Sequence, residues 1–356
     1  MTVPADVHRR AAVVGAGVVG GSVGLALRRC GWFVSVTDSD PAVAAAAVDL
    51  GAADRTGDDP EAELTFVAVP VGATPEVAAV ALRNGGVVTD VGSVKAPLVD
   101  QVDSPRFVGG HPMAGSEATG LDGARADLFE GAVWVLTPGP STDPGALALV
   151  HGVVRSFGAD VVSLSPEDHD RVVALVSHVP HLTAASLMTL AADRAVDDAA
   201  VLRLAAGGFR DMTRIAAGDP GIWLDICADN RVAILAVLDD LAATLAEVRD
   251  LVDRSDRTEL ERRLSAAQRA RRSLPAGSVR PVGLAEVRVA VPDRPGELAA
   301  VTTMATELGV NVEDIEVAHA AGEGRGRLIM VVASDRADEF AAALSRTGRS
   351  ASVHGL

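Results

Sequence analysis

The sequence predicts an α/β protein in three parts: an N-terminal domain on a parallel sheet, an all-helical second domain and a C-terminal domain of βαββαβ order. Three observations along the 356 residues predict this class. Short valine-rich apolar runs alternate with helical patterns up to about Ser165, and helical periodicity then prevails to about Arg272. The remaining tail returns to mixed strand and helix patterns, which indicates a separate small domain.

Strands in the first part are predicted where valine-rich runs are bounded by Gly, Pro or Asp. The connections between them can hold crossover helices, and such alternation is typical of a parallel, doubly wound sheet. The predicted strands are residues 11–15, 33–37, 64–69, 87–91, 106–109 and 132–136, with 161–164 as a further candidate.

Composition and periodicity delimit the other parts. A long amphipathic helix is predicted over residues 231–251, and the Pro- and Gly-containing segment 274–283 is predicted to be a linker. In the tail, strands are predicted at 285–291, 310–318, 327–332 and 351–354, and helices at 297–308 and 335–345. The predicted domains are 1–167, 168–273 and 284–356, with 274–283 as the linker.

The composition argues against several classes of protein. A net charge of −16 makes a broad nucleic-acid surface unexpected. No uninterrupted apolar run reaches the ~18 residues of a membrane span, and the N-terminus lacks the small-residue cleavage site of a signal peptide. Cys30 and Cys227 lie far apart and do not suggest a disulfide framework. We expect a cytoplasmic protein without nucleic-acid or membrane partners.

Lysine usage is unusual, because Lys95 is the only lysine among 32 basic residues. A bias toward arginine explains the loss of the others. A lysine that survives such a bias either does something arginine cannot do or survives by chance. Both interpretations stay open from the sequence.

A glycine turn follows the first predicted strand. Gly15 permits a tight turn, Gly17 lets the backbone approach a pyrophosphate, and Gly20 lets the next helix pack closely on the strand. Asp38 ends the second strand, where its carboxylate would bind the ribose hydroxyls of NAD and repel the 2′-phosphate of NADP. A plain βα turn without ligand is the alternative. The context predicts a Rossmann-type NAD site of Gly15, Gly17, Val18, Val19, Gly20 and Asp38.

Polar residues gather after later strands and in the helical part, and an open sheet binds its ligands at the carboxyl ends of its strands. His178 and His181 have the spacing of a metal pair, but Pro180 lies between them and no third ligand is evident, so we predict no metal. The polar segments are 90–95 (DVGSVK), 109–117 (GGHPMAGSE), 177–181 (SHVPH) and 209–214 (FRDMTR), followed by Trp223.

These segments resemble, in order, those of the prephenate/arogenate dehydrogenases of tyrosine biosynthesis. The resemblance covers roughly residues 10–250 and includes GAGVVGGS and DPGIWLDI as well. It implies NAD-dependent oxidative decarboxylation of prephenate to 4-hydroxyphenylpyruvate. Arogenate, which carries an amino group in place of the keto group, is the alternative substrate. Composition and spacing alone indicate only an NAD-dependent dehydrogenase.

The resemblance also implies a role for each polar residue. His111 would accept the proton of the ring hydroxyl, a task that suits a neutral histidine near pH 7. Ser93 would hold His111 or the same hydroxyl beside the nicotinamide, and Arg214 would bind a substrate carboxylate. A turn histidine, a serine cap and a surface salt bridge are the structural alternatives. Further substrate contacts are implied for His178, His181, Glu117, Trp223 and Arg210.

The tail resembles the ACT domain, a small amino-acid-binding regulatory module, in the segments DRPGEL (293–298) and LGVNV (308–312). That resemblance implies ligand contacts from Asp293, Gly296 and Asn311, tyrosine as the effector, and a pairing of tails that fits a homodimer. A dimerisation module without ligand is the alternative.

Two other functions stay open from the sequence. A β-hydroxyacid dehydrogenase would be expected to place a catalytic lysine in the helical half, yet the single lysine is Lys95. A non-catalytic sensor of NAD and an amino acid would have no need of His111 or Arg214.

Overall fold

The computed structural model describes residues 9–114, 120–198, 200–273, 284–292, 297–310, 312–319 and 325–355. The chain divides into two compact units, residues 1–247 and 248–356. The domain boundaries expected at 167, 273 and 283 stay predictions, and the predicted linker 274–283 lies outside the described residues.

The first unit contains an eight-stranded sheet. Its strands are β1 (Arg10–Val14), β2 (Phe33–Thr37), β3 (Arg55–Thr56), β4 (Leu64–Val67), β5 (Val87–Asp90), β6 (Phe107–Pro112), β7 (Val133–Thr137) and β8 (Asp160–Ser163). They lie in the order β3-β2-β1-β4-β5-β6-β7-β8. Neighbouring strands are parallel except for β6 and β7, so β7 and β8 run against the others. The predicted α/β class is confirmed, with an opposed pair of strands at one edge.

Helices connect these strands and form the part that follows them. The connecting helices are α1 (Val18–Arg29), α2 (Pro41–Asp49), α3 (Thr74–Ala81), α4 (Ala96–Gln101) and α5 (Pro144–Ser156). The helical part contains α6 (Pro166–Val173), α7 (Val179–Asp197), α8 (Ala200–Arg203), α9 (Gly207–Thr213), α10 (Pro220–Asp229) and α11 (Arg231–Asp253), with a 3-10 turn at Arg214–Ala217.

Four of these helices begin at the same sequence signal, a capping Asp or Ser followed at once by proline. The side-chain oxygen of the cap accepts a backbone N–H of the first turn, and proline is favoured there because its missing N–H has no helical partner anyway. The pairs are Asp40–Pro41, Asp143–Pro144, Ser165–Pro166 and Asp219–Pro220.

A buried aromatic cluster holds the middle of the sheet against the helices. Phe66 on β4 and Trp134 on β7 pack with Phe129 and Phe157, with ring centroids 5.0 to 6.2 Å apart. All four are buried, and each such side chain stabilises the fold by about 1.5–3 kcal/mol. The cluster thus fixes β4 and β7 on either side of the strands that carry the site.

The helices α6 and α7 form one continuous stretch through a π-helical turn at Ala174–His178. Pro180 has no N–H and its ring would clash with a carbonyl four residues earlier, and the wider turn just before it lets the helix continue. Among the described helices, Pro166–Val196 is long and apolar enough to cross a membrane, by length and composition only. The same stretch carries His169, Asp170 and His178, which are buried polar residues. The expected lack of a membrane partner therefore stays a prediction.

The second unit contains a four-stranded antiparallel sheet in the order β10-β11-β9-β12. On β9, Val287 and Val289 are fully buried while Glu286 and Arg288 are half-buried, which is the alternation of a strand with one face on a core. The elements are α12 (Arg257–Arg272), β9 (Leu284–Pro292), α13 (Glu297–Glu307), β10 (Val312–His319), β11 (Arg325–Ala333), α14 (Ser334–Arg346) and β12 (Ser350–Gly355). The predicted βαββαβ order is confirmed.

Candidate active site

The glycine turn between β1 and α1 has the geometry of a nucleotide cradle. Gly15 has a φ of +95°, and a Cβ there would lie 2.3 Å from the carbonyl oxygen of Ala68. A Cβ on Gly20 would lie 1.9 Å from the carbonyl oxygen of Gly15. Gly17 has no heavy atom within 4 Å of its would-be Cβ, so the space beside it is open. Gly15 therefore serves the turn and Gly20 the close packing, while the approach of a pyrophosphate to Gly17 stays a prediction.

The start of α1 suits a pyrophosphate. Gly17 is the N-cap and gives no side-chain cap, and the first turn has no acidic residue. The first backbone N–H groups and the positive end of the helix dipole therefore favour an anion.

Asp38 lies next to the glycine turn at the end of β2. Its Oδ2 accepts a hydrogen bond from the N–H of Ala16 at 2.7 Å, and its Oδ1 accepts one from the N–H of Asp40 at 3.0 Å. The carboxylate is thus held beside the glycine turn, and its contact with the ribose of NAD stays a prediction.

His111 lies within β6, one residue before its end, and is half-buried. Its Nδ1 is 2.8 Å from Nε2 of His169 on α6, and Nδ1 of His169 is 2.7 Å from Oδ1 of Asp170. His169 and Asp170 are buried. The carboxylate of Asp170 also accepts the backbone N–H groups of Lys95 and Ala96, each at 2.8 Å.

This chain of hydrogen bonds defines which ring nitrogen of His111 carries no hydrogen. A carboxylate only accepts hydrogen bonds, so His169 donates its Nδ1–H to Asp170. The Nε2 of neutral His169 then accepts, and His111 donates its Nδ1–H to it. Neutral His111 has no second N–H, so its Nε2 carries a free lone pair and can act as a base.

The surroundings also keep His111 neutral. Burial above all, together with the nearby positive charge of Lys95, holds the pKa of His111 well below its usual 6.5. A neutral imidazole is the form that accepts a proton, so the site favours a general base.

His178 lies at the end of the π-helical turn and is buried. The amide nitrogen of Asn230 is 3.1 Å from its Nδ1 and 2.8 Å from the carbonyl oxygen of Asp170. An amide nitrogen only donates, so Nδ1 of His178 accepts and its Nε2 carries the hydrogen. Burial lowers the pKa of His178 to about 4, against the opposing charge of Asp170, so its ring is a neutral donor.

His181 and Trp223 form one aromatic surface. Their rings stack with centroids 3.6 Å apart at 11°, and His178 meets the edge of Trp223 at 6.1 Å. Gly218 lies beside them, with its would-be Cβ 3.6 Å from Cε1 of His181. Burial lowers the pKa of His181. The structure thus brings together three of the predicted substrate residues.

The two predicted arginines lie on the surface of the helical part. Arg214 is exposed and begins the 3-10 turn Arg214–Ala217, which ends next to Gly218 and so runs toward the His181–Trp223 pair. Arg210 is exposed on α9, and its Nε donates to the carbonyl of Ala205 at 3.2 Å. The predicted gate Glu117 lies outside the described residues, and so do Asp293, Gly296 and Asn311.

Ser93 is half-buried in the loop between β5 and α4. No hydrogen bond joins it to His111 within the described part of the chain, because Nδ1 of His111 is taken by His169. The predicted contacts of Ser93 with His111, the substrate hydroxyl and the nicotinamide therefore all stay predictions.

A Rossmann-type glycine turn and a neutral histidine near the end of another strand of the same sheet are typical of an NAD-dependent oxidoreductase. Comparison with known proteins agrees and narrows the class. Residues 23–163 match the family model "Prephenate dehydrogenase, nucleotide-binding domain", and residues 165–266 match "Prephenate dehydrogenase, dimerization domain". The chain belongs to the prephenate dehydrogenase family.

Relatives of known name cover most of the chain. Prephenate dehydrogenase of Bacillus subtilis is 34% identical, over 91% of this chain and 92% of the relative. The structure of Aquifex aeolicus prephenate dehydrogenase with hydroxyphenyl propionate and NAD+ has a TM-score of 0.71 at 32% identity, covering 75% of this chain and 98% of that one. Synechocystis arogenate dehydrogenase has a TM-score of 0.65 at 31% identity, covering 74% and 99%.

Three residues of this site escaped the sequence-based assignment: His169, Asp170 and Asn230. His169 and Asp170 lie in the segment SPEDHD (165–170), which also resembles the family, but a helix N-cap explains Asp168 or Asp170 as well, so the sequence assigned them no role. Their contact with His111 spans 58 residues of sequence. The signal that could have revealed them is the adjacent His-Asp pair at the start of α6, because a carboxylate next to a histidine can orient its ring for proton transfer.

Proposed function

We propose that this protein oxidises and decarboxylates prephenate with NAD to give 4-hydroxyphenylpyruvate, with His111 as the base. The observation that carries the proposal is the chain Asp170–His169–His111, which leaves Nε2 of His111 bare on a ring kept neutral. Membership of the prephenate dehydrogenase family supports the choice of substrate.

The chain's own residues account for the proton movements. The glycine turn and Asp38 would hold NAD, which would accept the hydride from the ring carbon that carries the hydroxyl. Nε2 of His111 accepts the proton of the ring hydroxyl, so that the C–O bond becomes a carbonyl. The bond from the ring to its carboxylate then breaks, CO2 leaves, and the electron pair makes the ring aromatic. The protonated His111 returns its proton to the phenolate oxygen.

On the substrate side, the proposal gives Arg214 the task of binding a carboxylate. A guanidinium pairs with a carboxylate bidentately and keeps its charge. His178 offers an Nε2–H donor, and the stacked His181 and Trp223 offer a flat surface to the ring.

The test is direct. Purified protein with NAD is offered prephenate and arogenate separately, while NADH absorbance and CO2 release are followed. We expect NADH and CO2 in equal amounts with prephenate. NADH without CO2 would contradict the decarboxylation, and activity with arogenate alone would reassign the substrate.

Arogenate stays the second candidate because the Synechocystis relative is an arogenate dehydrogenase. The two substrates differ only in the keto or amino group of the side chain. A preference below tenfold in kcat/KM would mean that the pocket does not read that group, since tenfold requires only about 1.4 kcal/mol.

The C-terminal unit is, in this proposal, an ACT-type module that makes the enzyme sensitive to tyrosine. Its βαββαβ order and four-stranded antiparallel sheet support the assignment. A ligand on that unit alters activity only by favouring one conformation or assembly. A chain that ends near Pro281 should keep activity and lose much of its inhibition by tyrosine. Identical inhibition curves for both chains would leave the module with a role in assembly alone.

A homodimer completes the proposal. The helical part, matched by a dimerization-domain model, exposes large apolar side chains that a second copy would cover. Among them are Leu175, Val176, Met212, Leu224 and Val232, which are 56 to 81% exposed. Sedimentation equilibrium should give twice the chain mass of 36.4 kDa, and a monomer at micromolar concentration would contradict the assignment.

A further inference from the structure

Lys95 is fully buried between the ends of β5 and β6. Its ammonium contacts Oδ2 of Asp90 and donates to the carbonyl of Gly110 at 2.9 Å. The same Asp90 accepts the N–H of Gly110 on Oδ1 at 3.0 Å. Both backbone groups of the residue before His111 are therefore held by the side chains of one ion pair.

The Asp90–Lys95 ion pair takes the place of backbone hydrogen bonds where the pairing of β5 with β6 ends. β5 and β6 pair at Val88–Phe107 and Thr89–Val108, and Gly110 lies beyond these positions. A Cβ on Gly110 would lie 2.7 Å from the carbonyl oxygen of Asp90, so only glycine fits this approach. Asp90 and Lys95 thus extend the connection between the strands by side chains as far as His111.

Lys95 also bonds the opposite end of the histidine chain. Its own backbone N–H donates to Oδ1 of Asp170 at 2.8 Å. Four hydrogen bonds therefore close a ring. They join the N–H of Lys95 to Asp170, Asp170 to His169, His169 to His111, and the carbonyl of Gly110, the chain neighbour of His111, to the ammonium of Lys95. We propose that Lys95 is a positioning residue that closes this ring, fixing the orientation of His111 and adding a positive charge that opposes its protonation.

The chemistry of the site explains why this position holds lysine in an arginine-rich chain. The buried space offers two acceptors, the Asp90 carboxylate and the Gly110 carbonyl, to a compact ammonium with three donors. A guanidinium is larger, planar and carries five donors, and it would leave several unpaired.

The electrostatic part follows from the groups around His111. Lys95 faces His111 with a positive charge that opposes its protonation; burial lowers the pKa of Lys95, and the carboxylate of Asp90 counteracts this. His169 and His178 also face His111 as neutral rings, and Asp170 lies behind His169. Loss of the Lys95 charge should therefore raise the pKa of His111. The effect on turnover rests on the proposed function, whereas the effect on the His111 ring does not.

The experiment compares Lys95→Met, Lys95→Arg and the control Asp59→Asn in the full chain. Asp59 is buried and pairs with the partly exposed Arg10 at the start of β1, so its variant removes an ion pair of a buried carboxylate far from His111 along the chain. NMR of 15N-labelled histidine rings, with His111→Asn to assign the signal, reports the tautomer and pKa of His111. Turnover of prephenate and NAD affinity are measured alongside.

In Lys95→Met we expect the His111 pKa to rise by about one unit and kcat to fall ~10-fold or more, with NAD affinity kept. Lys95→Arg keeps the charge, so the pKa should stay while kcat still falls ~10-fold. Asp59→Asn should change neither. An unchanged His111 signal and kcat in Lys95→Met would overturn the proposal.

Folding failure is distinguished by NAD binding and cooperative unfolding. If Lys95→Met does not fold, Lys95→Arg tests the proposal in its place. A wild-type kcat in that variant would overturn the proposal. If the wild-type protein does not oxidise prephenate, the proposed function fails, while the His111 pKa in the variants still decides the role of Lys95.

Discussion

His111 and Arg214 lie in opposite kinds of surroundings. His111 is half-buried on a strand, and its Nδ1 begins a chain of hydrogen bonds that ends at the start of α4. Arg214 is exposed on a short turn of the helical part. The fold of the sheet therefore fixes the orientation of the proposed base, whereas the proposed carboxylate ligand Arg214 lies on the surface. Changes at the sheet should act on kcat, and changes on the helical part should act on KM.

The largest effect is expected at His111. His111→Asn keeps a polar side chain but removes the base, so kcat should fall ~100-fold or more while KM changes little. Steady-state kinetics with prephenate measures both. The control is His151→Asn on α5, which removes a histidine without hydrogen-bonded partners in the described chain. Turnover near the wild-type rate in His111→Asn would exclude the proposed role.

The next effect is expected at Arg214. Arg214→Ala leaves a substrate carboxylate without its partner, and a charge-assisted hydrogen bond contributes about 2–3 kcal/mol, so KM should rise ~30-fold or more. NAD affinity, measured by fluorescence titration, should stay unchanged. Arg203→Ala removes an exposed arginine from the neighbouring helix α8 and serves as the matched control. A defect mainly in NAD affinity would place Arg214 at the other ligand.

The same contrast explains what the sequence could predict. The glycine turn was predictable because a short motif marks it in its strand–helix context, and Asp38 because it stands at the end of the next predicted strand. The two-residue strand β3 was missed because it is too short for a pattern, and β6 extends past the predicted 109 to include His111. The reversal of β7 depends on which strands it pairs with, which no local pattern encodes.

Among the site residues, those carried by a motif were found and those carried by a distant contact were not. His111 and His178 stand in recognisable segments. His169 acts through a ring nitrogen 58 residues away in sequence, and Lys95 acts through the carbonyl of Gly110. The contact of His169 forms only when α6 packs against the sheet, and the contact of Lys95 forms only when β5 and β6 lie side by side.

A smaller effect is expected on the preference for NAD over NADP, which we attribute to Asp38. The carboxylate of Asp38 should give NAD an advantage over NADP of at least ~10-fold in kcat/KM. Asp38→Ser should narrow that ratio, because the repulsion of a 2′-phosphate is lost. Asp40→Asn, on the same loop, keeps a capping side chain for α2 and should leave the ratio unchanged. Equal use of both cofactors by the wild-type protein would refute this placement.

The smallest effect is expected from pH. An unperturbed histidine base would lose activity around pH 6.5, where half of it is protonated. In this site the pKa of His111 lies well below 6.5, and those of His178 and His181 are lowered too. The active form is the neutral ring, so protonation removes activity only as pH falls through the lowered pKa. We therefore expect kcat/KM to change less than about threefold between pH 8 and 6.5, with the acid limb below that range. A profile of kcat/KM against pH at constant ionic strength measures this. An acid limb centred near pH 7 would show that the site does not lower the pKa of His111.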